Sequence, residues 1–186
     1  KRDYAVSGTW GADGTTYFWD VTDPAQIRKI DSIQVDARTV NDVKVSEDGR
    51  ISVISREGAS SRRNGIVIID TTNPYDVNII SEYTTNLTGG VHNVFIYQDH
   101  VFALSNGERF YVINIEDPKN PYEVGMFEIG EKGQAIHDVW IEDGIAYSSN
   151  WKHGVYIIDV GNGVAGGSPS NPVVMSNYSY ESGAHH

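Results

Sequence analysis

Three histidines stand at matching places in this sequence. His92 opens His92-Asn93-Val94-Phe95-Ile96, His137 opens His137-Asp138-Val139-Trp140-Ile141, and His185 follows Gly183-Ala184. One step earlier the matching place is held by Asn41, in Asn41-Asp42-Val43-Lys44-Val45. A neutral imidazole nitrogen is a good ligand for zinc and for copper, so three imidazoles brought to one point could hold such an ion. Asp42 and Asp138, each next in sequence to the repeated position, are candidates to accept a hydrogen bond from a ring nitrogen and fix its tautomer. The alternative is structural. A repeated histidine at a strand entrance can donate to carbonyls of its neighbours and so satisfy buried polar groups, with no cofactor at all.

Other chemistries are poorly served. There is no cysteine, which removes disulfides, thiolate metal sites and thiol catalysis. No G-x-S-x-G elbow, P-loop or H-E-x-x-H motif occurs. The net charge of -11 argues against nucleic acid or an anionic membrane as the main partner, because phosphate binding needs clustered Lys and Arg. No apolar run approaches the length of a membrane span. Asn86-Leu87-Thr88 and Asn177-Tyr178-Ser179 match the glycosylation sequon at close to chance frequency for an Asn-rich chain.

The histidines need elements to carry them, and a repeat supplies these. Tyr17-Phe-Trp-Asp-Val-Thr-Asp-Pro24, Val67-Ile-Ile-Asp-Thr-Thr-Asn-Pro74, Tyr111-Val-Ile-Asn-Ile-Glu-Asp-Pro118 and Tyr156-Ile-Ile-Asp-Val-Gly-Asn162 share one design. Their anchors Asp20, Asp70, Asn114 and Asp159 are spaced by 50, 44 and 45 residues. The fourth copy carries a Gly/Ser insertion, Gly161 to Ser170, before Asn171-Pro172. Around each anchor strand lie an opening strand, a turn, a second strand, a hairpin loop and a fourth strand. Asp-Gly and Asn-Gly between apolar runs signal such hairpins, because Gly tolerates positive φ. Four antiparallel strands per repeat of this length predict an all-β fold of β-propeller blades, about four of them. Expected limits are roughly 1–38, 39–88, 89–133 and 134–182, with a further blade starting at 183–186. The chain begins within a blade and stops where another should start, so a fragment of a larger propeller is expected. The anchors Asp20, Asp70 and Asp159 are expected to satisfy amides of the turn that follows rather than to act as acids. An Asp-x-x-(Asp/Asn) run falls short of the oxygen ligands a calcium site needs.

In such blades the loop entering the innermost strand and the second hairpin share one face. That places His92, His137 and His185 beside the central channel, with Trp10, Arg56, Arg62, Arg63, Trp151, Lys152 and His153 on the same face. Trp10, Arg62, Arg63, Trp151, Lys152 and His153 are the expected partner-binding residues, since interfaces favour Trp, Tyr and Arg. The opposite face takes Glu47, Asp48, Asp99, Glu142 and Asp143 and is expected to be acidic.

Val67-Ile-Ile-Asp70 and Tyr156-Ile-Ile-Asp159 resemble the LVIVD repeat of bacterial secreted and cell-surface propellers, and the likeness runs from Tyr4 to His185. It implies the propeller fold and an extracytoplasmic location: periplasmic, secreted or on the cell surface. A weaker resemblance, carried by His92, His137 and the pair His185-His186, is to the copper-dependent methanethiol oxidase (selenium-binding protein) propellers. The leading expectation is a non-catalytic scaffold that binds another protein, as an accessory subunit of an extracytoplasmic or membrane assembly, with no cofactor. The alternatives are a copper- or zinc-dependent oxidoreductase using the channel histidines, and a carbohydrate- or surface-binding module.

Overall fold

The computed structural model describes residues 2–11, 13–130, 135–181 and 184. Within them there are strands and turns and no helix, so none is long and apolar enough to cross a membrane. The first sheet has three strands, β1 (Tyr4–Ser7), β2 (Thr15–Asp20) and β3 (Arg28–Gln34). The second holds β4 (Val43–Val45), β5 (Ile51–Arg56), β6 (Gly65–Asp70) and β7 (Asn78–Tyr83). The third holds β8 (Val91–Tyr97), β9 (His100–Ser105), β10 (Arg109–Asn114) and β11 (Tyr122–Glu128). The fourth holds β12 (Asp138–Glu142), β13 (Ile145–Ser149), β14 (Val155–Asp159) and β15 (Val173–Tyr178). Each sheet is an antiparallel meander in chain order, and together they are four consecutive blades of a β-propeller. The edge strands β4, β8 and β12 are innermost and pack against one another.

Blades meet face to face, which is why β6 is buried along five consecutive residues rather than at alternate ones. Three apolar clusters fill the seams. Phe18, Val40, Ile54 and Val67 lie between the first two blades. Val53, Ile66, Val94 and Ala103 lie in the next seam, and Phe102, Phe110, Phe127, Val139 and Ile158 in the last. Phe110 centres that last cluster, edge-on to Phe102 at 5.6 Å and stacked on Phe127 at 5.2 Å.

The repeated anchors do local backbone work. Oδ1 of Asp20, Asp70, Asn114 and Asp159 accepts the N–H two residues on, from Thr22 (3.1 Å), Thr72 (2.9 Å), Glu116 (3.1 Å) and Gly161 (3.1 Å). Only an acceptor oxygen is required, so Asn114 replaces Asp without loss. Asp23, Asn73 and Asp117 repeat the device, accepting from Ala25, Tyr75 and Lys119. Their carbonyls close the Pro turns onto Gln26, Asp76 and Asn120.

In the fourth blade the insertion enlarges this arrangement. Gly161-Asn162-Gly163-Val164-Ala165-Gly166 has the G-x-G-x-x-G spacing of a dinucleotide loop. No helix follows it, and its anion is internal. The Asp159 carboxylate accepts N–H groups from Gly161, Gly163, Ala165 and Gly167 at 2.8–3.1 Å. Burial pushes that carboxyl up, but the four amides outweigh it and hold it well below the usual carboxylate range. A Cβ on Gly167 would strike the Asp159 carbonyl, so this wrap depends on glycine.

Two consequences are measurable. Truncating Phe110 to Ala removes the centre of the last seam and should cost about 3–5 kcal/mol in urea unfolding. His100, at the start of β9, has a buried Nδ1 without a partner among the described residues. Its burial lowers the pKa below the ordinary imidazole value. The unfolded chain therefore takes up this proton first as pH falls. His100 should make the fold lose stability from about pH 6.5 downward, until the lowered folded-state pKa is passed. His100→Gln should flatten that stretch of the stability–pH curve and leave the carboxylate-driven loss at lower pH in place.

Candidate functional site

The site is assembled by clips between blades. At three of the four repeated channel positions the residue before donates its N–H to the second hairpin of the preceding blade. Val40 bonds the Thr9 carbonyl at 2.9 Å, Ile136 that of Gly107 at 2.9 Å, and Ala184 that of Trp151 at 2.7 Å. Bridges Trp10↔Thr39, Thr39↔Glu57 and Trp151↔Ala184 extend the same joints. Strand entrances and second hairpins therefore form one face.

On that face His92 and His137, from β8 and the entrance to β12, come together with ring centroids 5.2 Å apart and planes at 63°. His137 also meets Trp151 edge-on at 4.7 Å. His92 Nδ1 lies 3.2 Å from Glu57 Oε1. A carboxylate only accepts, so His92 Nδ1 carries a proton, and in the neutral ring the lone pair is on Nε2. Glu57 is held in turn by its backbone. Its N–H reaches the Thr39 carbonyl at 3.1 Å, and its carbonyl accepts Arg38 and Thr39 at 2.9 and 3.2 Å.

A polar seam runs beneath the rings. Asn41 Nδ2 donates to the His92 carbonyl (3.1 Å) and to Asn93 Oδ1 (3.2 Å), and Asn93 Nδ2 donates to Asp138 Oδ1 (2.9 Å). Asp42 accepts from Val43 N–H on its own strand, Val94 N–H on the next blade and Lys44 Nζ. Asp138 also accepts from Val139 N–H at 2.8 Å. The role expected of Asp42, holding an imidazole, falls at His92 to Glu57. The physical reason is that Asp42 faces the backbone of the adjoining strand, while Glu57 arrives from a hairpin. Nothing periodic in the sequence marks Glu57.

An open cleft of about 520 Å3 is lined by Trp10, Asn41, Asp42, Lys44, His92, Asn93, His137 and Asp138. Trp10 is largely exposed, with the Arg38 guanidinium 5.7 Å from its ring. Arg62 and Arg63 are exposed outside this lining, on a loop tied down by Asp36. That carboxylate accepts Ser60 N–H, Ser61 N–H and the Ser61 hydroxyl at 2.8, 3.0 and 2.6 Å. Lys152 and His153 sit on the β13–β14 turn, also outside the lining. Arg56 is not a surface group: it is buried and paired with Glu82 at 2.9 Å. His185 and His186 lie outside the described residues. Among the described residues no group of three His, Cys, Asp or Glu is gathered as an ion would need. The imidazole pair fits two members of such a set, because two imidazoles bound tetrahedrally at about 2.0–2.1 Å have ring centroids about 5 Å apart.

No family profile matches the chain, and no curated protein matches it in sequence; the LVIVD likeness rests on its residues alone. Similar solved structures are propellers. A Bacteroides uniformis protein provisionally described as a 6-phosphogluconolactonase matches at TM-score 0.76 and 11% identity, over 97% of this chain and 55% of its own. A periplasmic gluconolactonase of Pseudomonas aeruginosa matches at 0.71 and 14%, over 95% and 54%. A hypothetical selenium-binding protein from Sulfolobus tokodaii matches at 0.72 and 13%, over 98% and 54%. The chain thus spans about half the length of these structures, and at such identities the likeness is one of fold. It corrects the leading sequence expectation. This fold is shared with proteins named as lactonases, and its channel face groups two histidines with a carboxylate, so the non-catalytic scaffold is set aside.

Removing the Glu57 carboxylate tests the geometry directly. In Glu57→Ala, nitrogen-15 spectra at mildly alkaline pH should show His92 losing its single Nδ1–H tautomer and exchanging between both, with His100 unaffected.

Proposed function

We propose that the channel cleft is the site of a metal-dependent oxidoreductase, with His92 and His137 as two of the imidazole ligands of a copper ion. The observation that carries this is the Glu57–His92 contact beside the second ring. A carboxylate on Nδ1 fixes the ring, raises its basicity and leaves Nε2 for a ligand bond, the usual outer support of a metal-bound histidine. Bound there, copper would supply one-electron chemistry, which zinc does not. The protein groups do the remaining work. Trp151 limits rotation of His137, and the Asn41–Asn93–Asp138 seam keeps the two strand entrances in register. The extracytoplasmic location belongs to this proposal and is supported by the LVIVD resemblance.

A second reading is favoured by the same dyad. With Nδ1 held by a carboxylate, His92 Nε2 is also oriented as a general base, and lactone opening by an activated water would suit it. The names of two structural neighbours agree with that reaction class.

Loading the untagged protein with copper, followed by dialysis and elemental analysis, separates the two. The first reading expects close to one equivalent retained, with a several-fold loss of affinity in His92→Ala and in His137→Ala. Less than about a tenth of an equivalent would overturn it. Lactone hydrolysis that persists in excess chelator and vanishes in His92→Ala would establish the second.

A further inference from the structure

Three Asn-Gly pairs occur in the chain: Asn64-Gly65, Asn106-Gly107 and Asn162-Gly163. In such a pair the glycine amide nitrogen can attack the asparagine side-chain carbon, unhindered by a Cβ on the following residue. The new C–N bond closes a cyclic imide, the Cγ–Nδ2 bond breaks, and ammonia leaves. One water then opens the ring at either carbonyl, giving aspartate or isoaspartate. No oxidant or reductant takes part. The reaction needs a side-chain amide free to move and a backbone that can open locally.

The structure separates the three sites. Asn64 is buried and held at both ends, its Oδ1 accepting Ala59 N–H and its Nδ2 donating to the Thr88 carbonyl, each at 2.9 Å. Asn162 is exposed, but its Nδ2 donates to the Asp143 carbonyl at 2.8 Å. Asn106 is exposed at the tip of the β9–β10 hairpin, and its side-chain amide has no hydrogen-bond partner among the described residues. Exposed hairpin tips are also where local opening concentrates.

The same tip joins the two histidine-bearing strands. Asn106 and Gly107 both have positive φ, +56° and +64°, as the two central residues of a type I′ turn require, and Glu108 completes the three-residue loop. The Asn106 N–H donates to the Gly90 carbonyl at 3.0 Å, and the Gly107 carbonyl accepts the Ile136 N–H at 2.9 Å. Gly90 lies two residues before His92, and Ile136 immediately precedes His137. One turn therefore spans the distance between the two ring-bearing entrances. Isoaspartate inserts a methylene into the main chain between those two hydrogen bonds and adds a carboxylate at the rim.

We infer that Asn106 is a site of spontaneous deamidation, and that its conversion to isoaspartate moves the His92–His137 pair out of its native arrangement. This does not rest on the metal or lactonase readings, since both the modification and its effect are read without ligand. The whole chain is incubated in mildly alkaline buffer at physiological temperature, and peptides are mapped for isoaspartate and for ammonia loss. Conversion at Asn106 should run several-fold faster than at Asn64 or Asn162. In the converted fraction the imidazole resonances of His92 and His137 should shift while those of His100 stay in place. Asn106→Gly keeps the turn, cannot deamidate and should hold the native spectrum on ageing. Asn106→Asp adds the charge without lengthening the backbone, and should leave the ring resonances nearer native than isoaspartate does. Equal rates at the three asparagines would overturn the site. Unshifted histidine signals in the converted protein would overturn its effect.

Discussion

A backbone N–H handed from one blade to the hairpin of the blade before it is the contact on which this molecule turns. Val40, Ile136 and Ala184 each make it, to Thr9, Gly107 and Trp151. The apolar seams set how closely two sheets stack, but dispersion and burial are non-directional and would tolerate sliding. A hydrogen bond at 2.7–2.9 Å does not. By fixing register at the mouth of the channel, the clips determine where the next residue of each strand entrance stands. At the entrance to the fourth blade that residue is His137.

The two faces differ because of what satisfies their charges. On the face opposite the histidines a larger cleft, about 620 Å3, is lined by Glu47, Asp48, Asp70, Asp99, Glu116, Arg50 and Lys119. Size would favour it as a site, yet two of its carboxylates, Asp48 and Asp70, are engaged in turn-making. Asp48 accepts the Arg50 amide, the Ser46 hydroxyl and the Arg50 guanidinium, which hold its carboxyl down at about 2. Asp70 caps Thr72 in the same manner. Groups held in this way stay ionised across the working range and neither give nor take protons. The smaller cleft holds the imidazoles of His92 and His137.

Much of this was legible in the sequence, and the reason is periodicity. An anchor followed by Pro repeats because every blade needs the same turn, so Asp20, Asp70, Asn114 and Asp159 announced the strands, and the three aspartates their amide-capping role as well. The positions of His92 and His137 followed from the same register. Arg56 and Glu57 did not. They are neighbours on one hairpin, yet one guanidinium is buried on Glu82 while the adjacent carboxylate crosses to His92 in the next blade. The first contact spans two strands of one blade and the second joins different blades, and no pattern along a single strand encodes either. Asp42 was misread for the same reason: adjacency in sequence suggested a partner for an imidazole, whereas alternation along the strand directs it to the Val94 amide.

Departures from the repeat are where function concentrates in a fold of this kind. At the level of the rings the series runs Asn41, His92, His137. Asn41, at the same register, donates to the His92 carbonyl instead of offering a ring nitrogen. Three residues further along each innermost strand the series is Lys44, Phe95, Trp140. Lys44 bonds both oxygens of Asp42, while Trp140 meets Phe95 edge-on at 5.1 Å and leaves 60% of its surface exposed. A strictly symmetric repeat would give a channel of identical rungs with nothing to distinguish one arc from another. Here one arc is polar and internally paired, and the next carries two imidazoles above an aromatic wall. The symmetric part of the sequence builds the frame, and the residues that break the symmetry give one side of the channel its imidazoles, the carboxylate that meets one of them and its apolar surface.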